Sequence, residues 1–143
     1  LGFEGAGARI YWESLLASGL VPSSFSRREG RGSLEITNQC LNYGYAILAS
    51  YVWSSLDNAG LEVYAGLYHA DRPGKPSLVL DVMEEYRAWV VDRNVIKMRS
   101  ALGKEKAITP ALKKQLTNSI HQTMNDLYPY KGKKLKLQTT KKA

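Results

Sequence analysis

Apolar residues in this chain fall mostly at three- and four-residue intervals, and the runs that carry them are separated by clusters of Gly, Pro, Ser and Asn. This pattern predicts helices joined by short connections. The first helix is expected over Gly5–Ala17, although its four opening small residues weaken it on propensity and leave room for a backbone or a phosphate to come close. Pro22–Ser33 reads as a loop. A strongly apolar helix then follows from about Leu34 to Leu56, with Cys40, Leu41, Tyr43, Ile47, Leu48, Tyr51 and Val52 along it. Asn38 and Asn42 lie one turn apart on that helix, where a core position without partners would be costly.

The sequence breaks again at Asp57–Gly60 and at DRPGKP, Asp71–Pro76, where two prolines and a glycine exclude regular structure. Ser77 is placed to cap a helix running to about Arg99, whose first turns are apolar except for Asp81 and Glu84. Thr109 followed by Pro110 marks one more helix start, and Leu112, Leu116, Ile120 and Met124 repeat every four residues before an end near Pro129. No strand-like alternation of useful length is present. The expected class is therefore all-α.

Composition narrows the possibilities. With 143 residues, 44% hydrophobic and 23% charged, the chain can bury a core of its own and lacks the signature of disorder. No apolar run reaches the roughly 20 residues that span a bilayer, and no secretory leader is evident, so no membrane role and a cytoplasmic setting are expected. The lone Cys40 has no partner for an internal disulfide or a zinc knuckle and should pack as a small apolar group. Trp12, Trp53 and Trp89 are expected in the core, and His121 on the surface.

The net charge of +7 is local. The stretch KGKKLKLQTTKKA, residues 131–143, holds six lysines and no acid, and without them the net charge is +1. It reads as a basic tail or linker to a missing final helix, after a helical metal-dependent catalytic domain over residues 1–130. A second cluster, Arg27, Arg28 and Arg31, sits in a Gly/Ser loop that reads as mobile and able to offer guanidinium groups to phosphates.

The most informative segment is GLYHADRPGKPSLVLDVMEEYR, Gly66–Arg87. It sets His69 in a loop ahead of Asp81 and Glu84, two carboxylates three residues apart and so on one helical face. One imidazole and two oxygen ligands could converge there. Glu4, followed at once by small residues, is suited to supply a third arm whose metal-bound substrate must approach the main chain. The same residues admit a plainer reading: a surface histidine, solvated helix-face charge at Glu84 and Glu85, and favourable charge at a helix N-terminus for Glu4.

Three ordered blocks, GFEGAGARIYW, NQCLNYGYAIL and GLYHADRPGKPSLVLDVMEEYRAWVVDR, resemble in order and spacing the helical domain of the CRISPR-associated integrase of spacer acquisition, the Cas one family. The likeness runs from Gly2 to about Met98. It implies that Glu4, His69 and Glu84 are metal ligands and catalytic residues, with Asp81 a further ligand or a partner of one. It also implies that Asn38 and Asn42 make structural or DNA-adjacent hydrogen bonds and that Arg87 faces the DNA backbone.

Members of the family join a DNA 3′-hydroxyl to a target phosphodiester. The implied partners are double-stranded DNA, the companion protein Cas two, and a second copy that dimerises through an N-terminal β-rich domain. A chain that starts at Leu1 is expected to be a piece of such a protein. Carboxylates with one histidine suit Mn²⁺ or Mg²⁺, and the lack of thiolates argues against structural zinc. Two alternatives stand beside this reading, a non-catalytic helical nucleic-acid-binding module and a transposase-like integrase of a mobile element.

Overall fold

In the computed structural model, which describes residues 2–66, 74–130 and 133–136, the predicted all-α architecture is observed. Helix α1 spans Gly2–Ala17 and α2 Ile36–Asn58. Helix α3 covers Ser77–Glu84 and is followed by a π-helical segment, Arg87–Asp92. Two short helices come next, α4 (Arg93–Lys97) and α5 (Arg99–Leu102), and then α6 (Pro110–Asn125). Leu127–Tyr130 (β1) and Lys133–Lys136 (β2) pair as an antiparallel hairpin, with Leu127 opposite Lys136 and Tyr130 opposite Lys133. No helix among the described residues is long and apolar enough to cross a membrane.

Helix α2 is the centre of the fold. Its Cys40, Leu41, Leu48 and Val52 are fully buried and belong to one core with Val90, Val91 and Val95 and with Leu116, Ile120 and Met124 of α6. The four-residue repeat read in α6 is its buried stripe. Thr109 caps that helix by accepting from the Leu112 N–H at 3.2 Å, with Pro110 at the first position. Burial, with a smaller contribution from the charge of Glu35, pushes the Cys40 thiol up to about 11, so it behaves as the apolar filler expected. Gly44 is where α2 meets the π-helical segment: a Cβ there would lie 2.5 Å from Val91 Cγ1, so only a residue without one permits that approach.

Several expectations are corrected. Ser77 does not cap α3; Pro76 occupies the cap position without a side-chain bond, and Ser77 is buried as the first helical residue. The run expected to continue unbroken to Arg99 instead changes pitch after Glu84. Val90, Val91 and Asp92 are all buried, a wider stretch than the apolar stripe of an α-helix covers. The wider π turn, in which the Arg93 N–H reaches back to the Ala88 carbonyl, brings all three inward.

Of the three tryptophans only Trp12 is in the core; Trp53 packs edge-on to Tyr64 at the surface, and Trp89 lies under the Arg93 guanidinium at 4.4 Å. Exposed His121 meets the Tyr51 hydroxyl through Nδ1. The hairpin pairs residues 127–130 with 133–136, a stretch whose sequence shows no strand-like alternation of useful length.

The loop before α2 is held in place rather than mobile. Phe25 is buried against Trp12, with ring centroids 5.4 Å apart. Glu35 caps α2 by accepting from the Thr37 and Asn38 N–H groups at 3.0 and 2.7 Å. Asn38 then uses all four of its bonding positions: Oδ1 accepts from Arg28 Nη1 and the Glu29 N–H, and Nδ2 donates to the Arg27 carbonyl and Glu35 Oε2, all within 3.1 Å. Asn42 Oδ1 accepts from Arg28 Nη2 at 2.6 Å, and its Nδ2 donates to the Gly30 carbonyl at 2.8 Å. Composition marks such a loop as flexible, but its backbone is claimed by two amides on the neighbouring helix.

Candidate functional site

A polar cluster forms where α1, α2 and the π-helical segment meet. Its centre is Asp92, only 4% exposed, which sits at the end of the π turn. The Tyr45 hydroxyl of α2 donates to Asp92 Oδ1 at 2.5 Å, and the Tyr11 hydroxyl of α1 donates to Oδ2 at 3.1 Å. Burial raises the Asp92 pKa above the ordinary carboxylate value, opposed by the two tyrosine bonds and by the charges of Arg28 and Arg87. Both tyrosines are in turn pushed upward, by burial first and then by the carboxylate they serve, so they remain hydroxyl donors at physiological pH.

The face of Tyr45 carries cations. The guanidinium carbons of Arg28 and Arg87 lie 5.2 and 5.0 Å from its ring centroid. Arg87, at the start of the π turn, reaches back to Glu84 on the last turn of α3, with Nη2 3.0 Å from Oε1. The Arg87 Nε is buried and has no hydrogen-bond partner among the described residues. Side chains from four elements are thereby joined in one chain of contacts, Tyr11 to Asp92 to Tyr45 to Arg87 to Glu84.

The sequence-predicted residues fall as follows. Glu84 is about half exposed at its side chain and is fixed at one oxygen by Arg87. Asp81 is half-buried one turn earlier on α3. Glu4 lies in the first part of α1, seven residues and so about two turns before Tyr11 on the same helical face; its side chain lies outside the described residues, as does His69. No group of three or more His, Cys, Asp or Glu side chains able to hold a metal ion occurs among the described residues.

The arginines divide. Arg28 is turned into the fold by Asn38 and Asn42, Arg27 is exposed and only loosely paired with Glu29 at 3.4 Å, and Arg31 is exposed beside a cleft lined also by Ser50, Trp53 and Lys75. A second cleft, of about 520 Å³, runs between the small residues Gly5 and Ala8 of α1 and the loop residues Arg27 and Arg28, where close approach is expected from the sequence. Asn38 and Asn42 have the structural role anticipated. Asp92 and Tyr45 carry no role in the sequence reading; the signal that could have found Asp92 is a lone acid inside the apolar run WVVDRNVI.

Of the expected ligand set, the side chains of Asp81 and Glu84 are described, and both offer carboxylate oxygens of the kind hard cations take. Glu84 and Asp81 stand one turn apart on α3, and Arg87 engages Oε1 of Glu84.

This arrangement of helices is shared with solved structures. A casposase bound to integration product superposes with a TM-score of 0.84 at 26% identity, over 99% of this chain and 44% of that one. A Cas1 protein from Thermotoga maritima superposes equally well, TM-score 0.84, at 20% identity over 99% of this chain and 48% of that one. The family profile of CRISPR associated protein Cas1 matches residues 1–124. The CRISPR-associated endonuclease Cas1 1 of Francisella tularensis subsp. novicida is 54% identical over 138 residues, 96% of this chain and 43% of its own length. That of Pyrobaculum aerophilum is 44% identical over 101 residues, 69% of this chain and 31% of its own length. The chain belongs to the Cas1 family. It spans less than half the length of these relatives.

Proposed function

We propose that this chain is the helical catalytic part of a divalent-metal-dependent DNA endonuclease and integrase that inserts new spacers into a CRISPR array. The observation that carries the reading is the 54% identity, across nearly the whole chain, to a relative named as a CRISPR-associated endonuclease. Glu4, His69 and Glu84 would hold Mn²⁺ or Mg²⁺, with Asp81 as a further ligand or a neighbour of one. The cation, when bound, supplies activation of an oxygen nucleophile and neutralises charge building on the phosphate under attack. With a DNA 3′-hydroxyl as nucleophile the outcome is strand transfer, and with water it is cleavage.

The residues of the chain contribute orientation and charge. Arg87 pairs with Oε1 of Glu84, and Glu84 would be one of the residues that hold the ion. The small residues at the start of α1 leave space for a DNA strand to lie close to the helix beside Glu4. Arg27 and Arg31, exposed on the loop, would pair with backbone phosphates. Arg28, held by two asparagines, would add charge without moving, and Arg87 is near enough to Glu84 to meet the same strand. The double-stranded DNA target, the Cas two companion and a homodimer belong to this proposal.

The test is strand transfer by the protein expressed from its intact open reading frame. Glu84→Ala and Glu4→Ala are each expected to reduce turnover by at least about 100-fold, since loss even of an outer-shell partner of a metal ligand costs about 10–100-fold. Calorimetric titration with Mn²⁺ should show binding that His69→Ala removes. Full strand transfer by Glu84→Ala would reject the reading. A transposase-like integrase of a mobile element is the second reading, favoured by the structural match to a casposase. The genes flanking the open reading frame separate the two.

A further inference from the structure

We infer that Asp92 is a positioning residue that sets the separation of Glu4 and Glu84 by tying their two helices to one buried carboxylate. The inference rests on the metal-site reading above. Glu4 and Glu84 belong to different helices, α1 and α3, which the loop and α2 separate along the chain. Two carboxylates grip one cation only if their helices are held in register to within a fraction of an ångström, and neither helix can set that register alone.

The Asp92 cluster is built to do so. On one side Oδ2 takes the Tyr11 hydroxyl and so fixes the rotation of α1 two turns beyond Glu4. On the other side Oδ1 takes the Tyr45 hydroxyl, and the Tyr45 ring is the surface on which the Arg87 guanidinium rests at 5.0 Å while gripping Glu84 at 3.0 Å. The π turn supplies both ends of this linkage, with Arg87 as its first residue and Asp92 as its last.

Stability does not account for the cluster. A buried carboxylate among tyrosines and arginines contributes little more than apolar side chains of the same volume would, because desolvation offsets much of the attraction. Nor does Tyr11 fill the core, since it is 37% exposed and its hydroxyl is what reaches inward.

The experiment compares Tyr11→Phe, Tyr45→Phe and Asp92→Asn in the protein from its intact open reading frame, with Tyr43→Phe as control. Tyr43 also lies on α2 and also loses a hydroxyl contact, to Thr117 at 3.3 Å, and among the described residues that hydroxyl has no hydrogen bond to the cluster. Mn²⁺ affinity by calorimetry should fall about 10-fold in Tyr11→Phe and Tyr45→Phe, and at least as far in Asp92→Asn, and be unchanged in Tyr43→Phe. Turnover should fall in parallel while KM for DNA stays constant. Wild-type Mn²⁺ affinity in a folded Tyr11→Phe protein overturns the inference, and this variant decides alone if the more buried substitutions fail to fold. Failure of the metal-site reading looks different, because Glu84→Ala would then keep full strand transfer.

Discussion

At the residue scale the informative side chains are the polar ones that helices hold inside. Asp92 bears a pKa raised mainly by burial, so its protonated form is favoured in the folded state relative to the unfolded chain. The stabilisation this gives is complete below the ordinary aspartate value and is lost as pH rises through the raised folded value. Urea unfolding of wild type and Asp92→Asn should therefore give a stability difference that moves against the wild type as pH is raised through the window just above the usual aspartate range, and is flat beyond it. A pH-independent difference would mean that the folded carboxylate titrates as in the unfolded chain. Sequence could name Asp81 and Glu84 because helical spacing puts them on one face, but not Asp92, whose burial depends on where the helix changes pitch. The same limit hid Arg28: its neighbours Arg27 and Arg31 are exposed, and only the fold shows that Asn38 and Asn42 have claimed it.

At the element scale, helix starts with a dedicated chemistry were legible, and interruptions were not. Thr109–Pro110 and the stripe of α6 stand as read, because capping and four-residue spacing are local physics. The break after Glu84 was hidden since each residue from 85 to 99 is compatible with an α-helix, and packing against α2 decides the pitch. Gly44 is the matching feature on α2. Gly44→Ala is expected to destabilise by about 1–3 kcal/mol in denaturant unfolding, because the added methyl meets a side chain of the closely packed π-helical segment. Val91→Ala should recover part of that loss in the double variant. An additive pair would show that the two residues do not press on each other.

At the scale of the whole molecule, the excess positive charge is concentrated rather than spread. Of the net +7, six charges come from the lysines after residue 130, and the described surface adds Arg27 and Arg31. Replacing both arginines by Ala should weaken DNA binding regardless of sequence and flatten the dependence of log affinity on log salt by up to ~2. An unchanged slope would remove the loop from the DNA interface. Arg28 is unsuited to this experiment, since its loss would leave the Asn42 amide oxygen without its donor and take one of two donors from that of Asn38, disturbing the loop as well as its charge. The architecture was legible in sequence as far as its helices, but the way one acid joins three of them was not.

The wide turn between Arg87 and Asp92 has a consequence for how this chain tolerates change in length. Deleting one residue there would let an ordinary α-helix run through, yet its narrower turn could not keep Val90, Val91 and Asp92 all facing inward. Asp92 would leave its tyrosines or Val91 its glycine. Shortening by a single codon at this point would yield a more regular helix and a broken cluster.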